Sequence, residues 1–135
     1  MNETLLNILA QVSEQMGFLT PLGPADGAVP GDLCIAVRFR GPSAGLVLLA
    51  ASRPLAEALA RNLLAIDAGD PVADADAVDA LKELANIVAG NCLPQLLQDG
   101  EYHLESPQAA AWNAGGELAQ LSCAEGELAI ALQVD

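Results

Sequence analysis

Aromatic residues are scarce in this chain: one Trp, one Tyr and two Phe make 3% of 135 residues, against 53% hydrophobic residues overall. The core must therefore be built from Leu, Ala, Val and Ile, which suits helices packed on a sheet better than an aromatic-lined binding groove. Positive charge is also sparse. Five basic residues, four of them Arg38, Arg40, Arg53 and Arg61, stand against eighteen acidic ones, a formal net charge of −13. Such a surface repels a phosphate backbone and an anionic bilayer, so neither nucleic acid nor membrane is an expected partner. Arg38 and Arg40 alternate along a strand-like run and read as an exposed strand face rather than an anion patch.

Metal ligands are missing in any clustered spacing. The three cysteines, Cys34, Cys92 and Cys123, are widely separated among apolar neighbours, and His103 is the single histidine. No metal or cofactor site is expected on this chain, and buried reduced thiols are the default reading. Long apolar runs are lacking too. The longest, Ala44 to Ala51, falls far short of the roughly eighteen residues that span a bilayer, and no basic, cleavable leader precedes the first helix, so a cytoplasmic location is expected. His103 lacks an orienting partner nearby in sequence and reads as a strand residue, and Trp112 as a core or interface anchor.

The length suits one compact domain over residues 1–135. Residues 3 to 17 repeat apolar side chains at Leu5, Leu6, Leu9, Val12 and Met16, a helical period ending at glycine. Residues 20 to 31, with three prolines and three glycines, read as a loop. LCIAVRFR and AGLVLLAAS then form a hairpin about Gly41-Pro42-Ser43. Ser52 is placed to cap a helix over 53 to 65, with Pro54 in its first turn. The acidic stretch 67 to 80 lacks the ligand positions of a calcium loop and reads as a linker entering a long helix from about Asp76 into the nineties, kinked or ended by Pro94. EYHLES, ELAQLSCA and ELAIALQV predict an antiparallel C-terminal sheet, with a further short strand at Ala109 to Trp112. The fold class is α+β, helices packed on an antiparallel-rich sheet.

Gly41-Pro42-Ser43-Ala44-Gly45 matches the Gly-x-Ser-x-Gly pattern of a hydrolase nucleophile elbow. That elbow leads into a helix, whereas Leu46 to Ala50 reads as a strand, and the proline suits an ordinary turn. A serine hydrolase is set aside on this ground.

What remains is a polar set inside the long helix, VDALKELANIVAGN. At about 100° per residue, Glu83 lies roughly 40° and Asn86 roughly 20° on either side of Asp79, with Gly90 between Asp79 and Glu83. Leu81, Leu84, Ala85, Val88 and Cys92 occupy the opposite side. A shuffled chain of this composition yields about 0.4 Glu-x-x-Asn matches, so the pair alone reads equally as a solvated face. The carboxylate at Asp79, the neighbouring glycine and the following Asn91 give the pattern its content. A carboxylate beside a carboxamide makes a poor nucleophile, but it can bind a cation and orient a water, which suffices where the electrophile arrives activated, as in phosphoryl transfer.

Asp79, three residues, Glu83, two residues, Asn86, and Pro107 after twenty more residues resembles the signature of the CheC/CheX family of chemotaxis phosphatases. ELANIVAGN is similar to that family's catalytic helix, and SEQMGFLTP to the first helix of CheX-like domains. Gly17 stands three residues after Glu14, where the two-site type carries Asn, so the chain resembles the one-site CheX type.

The resemblance implies a CheC/CheX-like fold and a phosphatase acting in chemotaxis or two-component signalling. Its substrate would be the aspartyl phosphate of a phosphorylated CheY-like response-regulator receiver, with Mg2+ in the receiver and no cofactor on this chain. It implies Glu83 and Asn86 as catalytic, Asn86 placing the water and Glu83 pairing with the receiver's lysine. Asp79, by capping or by orienting Glu83, Gly90 and Pro107 are supporting residues. It further implies a homodimer. The alternative is a non-catalytic module that docks on a receiver or chemotaxis protein as a regulator; kinship with the flagellar switch proteins lacks switch-specific sequence.

Overall fold

The computed structural model describes residues 2–113 and 115–135. Its elements in chain order are α1 (Asn2–Gln15), β1 (Pro21–Pro24), β2 (Leu33–Arg40), β3 (Gly45–Ala51), α2 (Arg53–Leu64), α3 (Asp74–Leu96), β4 (His103–Leu104), β5 (Gln108–Ala109), β6 (Glu117–Cys123) and β7 (Gly126–Val134). The strands form one seven-stranded sheet in the order β1-β6-β7-β3-β2-β4, with β5 also pairing β2. Every pairing is antiparallel. The class is α+β, three helices against one sheet, as the sequence predicts.

Alternation decides which face of the sheet is covered. Along β2, Ile35, Val37 and Phe39 are buried while Arg38 and Arg40 are exposed. Val47, Leu49, Leu128, Ile130 and Leu121 join the same core, which the helices supply with Leu5, Leu9, Leu55, Leu59, Leu81 and Leu84. Phe39 meets Tyr102 edge to face at 5.9 Å, which engages two of the four aromatic rings. Aliphatic burial therefore carries most of the driving force, at about 25 cal/mol per Å² of apolar surface removed from water.

The α3 helix is the central support. It packs against α1, α2, β2 and β3. At its start Arg53, at the head of α2, reaches Asp74 at 2.7 Å and Glu57 at 2.9 Å. The helix begins at Asp74, two residues before the Asp76 read from the sequence. At the other end Pro94 lies inside the helix, which closes two residues later at Leu96. A proline there removes one N–H from the helical ladder without stopping the last turn.

Three other expectations are corrected. The stretch 20 to 31 is not all loop: Pro21–Pro24 forms β1 and pairs with β6. It lies at the sheet edge, where residues without an N–H are tolerated. Ser52 occupies the cap position of α2 but its hydroxyl does not bond the helix. It accepts instead from the Glu127 N–H at 3.1 Å, so the sheet takes the group that would have capped the helix. The short strand after Pro107 is Gln108–Ala109 and stops before Trp112, which is half-buried beside Gly115, Gly116 and Leu118.

All three thiols are free. Burial pushes Cys92 up to about 12 and Cys123 up to about 11, the latter helped by the Glu125 and Glu127 carboxylates, and burial also raises Cys34. Protonated thiols of this kind act as small apolar side chains rather than nucleophiles.

Candidate functional site

The two sides of α3 separate sharply. Ala80, Leu81, Leu84, Ala85, Val88 and Ala89 are buried, whereas Asp79, Glu83, Asn86 and Gly90 are all exposed. The helical period thus brings a carboxylate, a second carboxylate and a carboxamide onto one solvent face over three turns. The flank of α3 toward α1 carries Ile87, Asn91 and Gln95, which line a groove of ≈ 230 Å³ with Ile8, Gln11, Val12, Gln15 and Met16. That volume is below the range of small-molecule pockets, about 300–1,000 Å³. The amides at its lip are committed to the helix: Asn91 donates to the Ile87 carbonyl at 2.8 Å, and Gln95 donates to the Asn91 carbonyl at 2.9 Å.

Local energetics mark this face as unusual for a solvated helix. Asp79 and Glu83 are like charges at i, i+4, a pairing that costs an isolated helix a few tenths of a kcal/mol. Neither carboxylate makes an ion pair among the described residues. Asn86 is a weak helix former, and glycine in a helix interior costs about 0.5–1 kcal/mol relative to alanine. A like-charge pair, a weak helix former and an interior glycine within three turns are three local choices that helix stability alone does not favour.

Apart from the backbone of its own helix and its chain neighbours, Gly90 has no atom within 4 Å of where a Cβ would stand. Nothing packed against the helix requires glycine there, and the surface over it is open. Gly90→Leu is accordingly expected to keep or raise the thermal midpoint, by up to about 1 kcal/mol of helix propensity, while blocking any partner seated on the face. Thermal melting followed by a partner-binding titration checks both signs. A lowered midpoint would mean that the position packs.

The supporting residues fall differently. Asp79 is six residues into α3, behind the cap position at Ala73, so the capping role is excluded by position. It makes no hydrogen bond with Glu83 among the described residues, which leaves a carboxylate one turn from another. Pro107 lies apart in the chain, half-buried in the link between β4 and β5 at the sheet edge. On α1, Glu14 is exposed but Gly17 is buried beyond the helix end. A Cβ at Gly17 would stand 2.9 Å from both Leu59 Cδ1 and the Ser13 carbonyl, so any side chain there would crowd the end of α1 and the Leu59 tip.

The shape of the site constrains its chemistry. Grooves lie beside the β1–β6 pair, at the turn from β2 toward β4, between α1 and α3, beside Trp112 and on the outer sheet face near Arg38; none is lined by Asp79, Glu83, Asn86 or Gly90. The candidate residues stand on a convex helix. Among the described residues no group of three or more His, Cys, Asp or Glu converges to hold a metal, and no helix is long and apolar enough to cross a membrane. His103, exposed on β4, pairs in register with Arg40 rather than with any hydroxyl or carboxylate of this face. A carboxylate and a carboxamide placed outside these grooves face whatever docks on α3.

Comparison with known proteins bears on what that is. A family model described as "Chemotaxis phosphatase CheX" matches residues 33–121. Among solved structures, a chemotaxis protein CheX from Vibrio vulnificus aligns with TM-score 0.73 at 18% identity, covering 98% of this chain and 95% of that one. A chemotaxis protein CheX from Desulfovibrio desulfuricans aligns with TM-score 0.72 at 16% identity, over 98% and 97% of the two chains. A CheX-CheY-BeF3-Mg2+ complex from Borrelia burgdorferi aligns with TM-score 0.67 at 21% identity, over 96% of each chain. No curated protein matches.

Proposed function

The chain belongs to the chemotaxis phosphatase CheX family, and from that premise we propose that it hydrolyses the aspartyl phosphate of a CheY-like response-regulator receiver. The observation that carries the reading is the exposed face of α3, where Glu83 and Asn86 stand one turn apart beside a glycine with open space over it. A convex site needs a concave partner, and a receiver supplies a cleft that already holds the activated electrophile. The Borrelia burgdorferi CheX–CheY complex supports the same pairing for this chain.

In this reading α3 inserts into the receiver's active site. The Asn86 carboxamide accepts from and donates to the attacking water, holding it in line with the phosphorus. Such a group supplies orientation, and orientation is most of what phosphoryl transfer requires of a protein. The Glu83 carboxylate pairs with the receiver's lysine, fixing the depth and rotation of the inserted helix. Asp79 adds negative charge one turn away and favours the same cation. Mg2+ belongs to the receiver, where it neutralises phosphoryl charge; this chain presents no gathered ligand set for it among the described residues. A cytoplasmic location and a homodimer belong to the same proposal, the second checked by sedimentation equilibrium.

The test is the decay of a phosphorylated CheY-like receiver from the same cell, with and without this protein. Faster phosphate release supports the reading. Binding without acceleration would leave a docking module, and the absence of both would refute it.

A further inference from the structure

Lys82 precedes Glu83 in the motif helix and is the chain's single lysine. Its place is peculiar in a molecule of net charge −13. The other cations are otherwise engaged or lie elsewhere. Arg53 is held by Glu57 and Asp74, Arg61 donates to the Asp70 carbonyl at 3.2 Å, Arg38 faces Asp135 at 3.7 Å, and Arg40 is on the exposed sheet face opposite His103. Lys82 makes neither an ion pair nor a side-chain hydrogen bond among the described residues, although Asp79 is one turn before it and Glu83 adjacent. On the helix it falls about 40° from Asn86 and about 100° from Glu83, so it stands on the amide's flank, away from the carboxylate. It is half-buried. A lysine so placed rests its stem against the protein and carries its ammonium to the rim of the site.

We propose that Lys82 is a specificity-determining residue of this site, its ammonium contacting an anionic oxygen of the receiver as α3 inserts. The inference rests on the phosphatase reading above. The physical need is plain: an acyl phosphate and the carboxylates around it approach a face bearing Asp79 and Glu83, in a chain whose overall field repels them. One free cation beside the amide offsets that repulsion where the phosphoryl group comes closest, and steers the encounter. The bonded partner is an anionic oxygen, either of the phosphoryl group or of a receiver carboxylate.

The test uses the whole chain with Lys82→Met, Lys82→Glu and Lys82→Arg. Receiver dephosphorylation and receiver binding are measured across ionic strength, the receiver being taken both unmodified and loaded with beryllofluoride. Lys82→Met should lower kcat/KM about tenfold through KM at low ionic strength, with the deficit shrinking as salt screens the site, Lys82→Glu should lower it further, and Lys82→Arg should restore most of it. A loss of affinity only for the beryllofluoride-loaded receiver identifies the phosphoryl oxygen, and an equal loss for both forms identifies a carboxylate. Wild-type acceleration that Lys82→Met leaves unchanged overturns the role of Lys82 alone. A wild type that neither binds nor accelerates overturns the phosphatase reading and this one with it.

Discussion

Asn86→Ala should abolish the acceleration of receiver dephosphorylation, lowering kcat by about 100-fold or more, while leaving the protein at least as stable as before. The activity term follows from position. The carboxamide is the one group on the face able both to donate to and to accept from a water, and loss of an orienting group on an in-line attack costs about 10²-fold when the water is free to wander by an ångström. The stability term follows from exposure. Asn86 makes no side-chain hydrogen bond among the described residues, and alanine is the better helix former by about half a kcal/mol. A parallel fall in thermal midpoint and activity would mean that the amide is structural. An unchanged hydrolysis rate would sink the catalytic assignment. Glu83→Ala should act differently, raising KM more than it lowers kcat, because its partner is a fixed cation rather than the water.

Why this face was readable from sequence while other features were not has a physical explanation. All of its members lie on one helix, and the 3.6-residue period relates Asp79, Glu83, Asn86 and Gly90 without reference to anything else in the molecule. The burial of Leu81, Leu84, Ala85 and Val88 opposite them follows from the same period. The hairpin of β2 and β3 was equally local. The misread features depend on partners remote in sequence. β1 exists because β6 pairs with it, and no local signal in a segment of prolines and glycines announces that. The Ser52 hydroxyl goes to Glu127, seventy-five residues away, and Arg53 reaches across from α2 to Asp74 at the start of α3. The burial of Gly17 against Leu59 is of the same kind. A sequence shows that the Glu-x-x-Asn pattern is missing from α1, and only the packed fold shows that a side chain at Gly17 would crowd Leu59 and the Ser13 carbonyl.

Leu84→Ala should give the opposite signature to Asn86→Ala, because the two residues lie on opposite faces of the same helix. Leu84 is 1% exposed and belongs to the core that joins α3 to the sheet and to the other helices. Removing its isobutyl group loses the transfer free energy of those carbons and leaves a cavity that rigid neighbours only partly fill, at a cost of about 2–5 kcal/mol. Domains of this size have about 5–15 kcal/mol of stability in total, so the variant should melt some 10 °C or more lower. Well below its midpoint, however, it should retain most of its activity toward the receiver. Glu83 and Asn86 are exposed and need from the core only that α3 remain a helix in place. The pair of variants is therefore a test of the claim that α3 has one face for stability and one for chemistry. If Leu84→Ala lost activity while still fully folded by circular dichroism, the rotation of α3 would itself be tuned by the core, and positions such as Ala85 and Val88 would have to be counted among those that set the site's geometry.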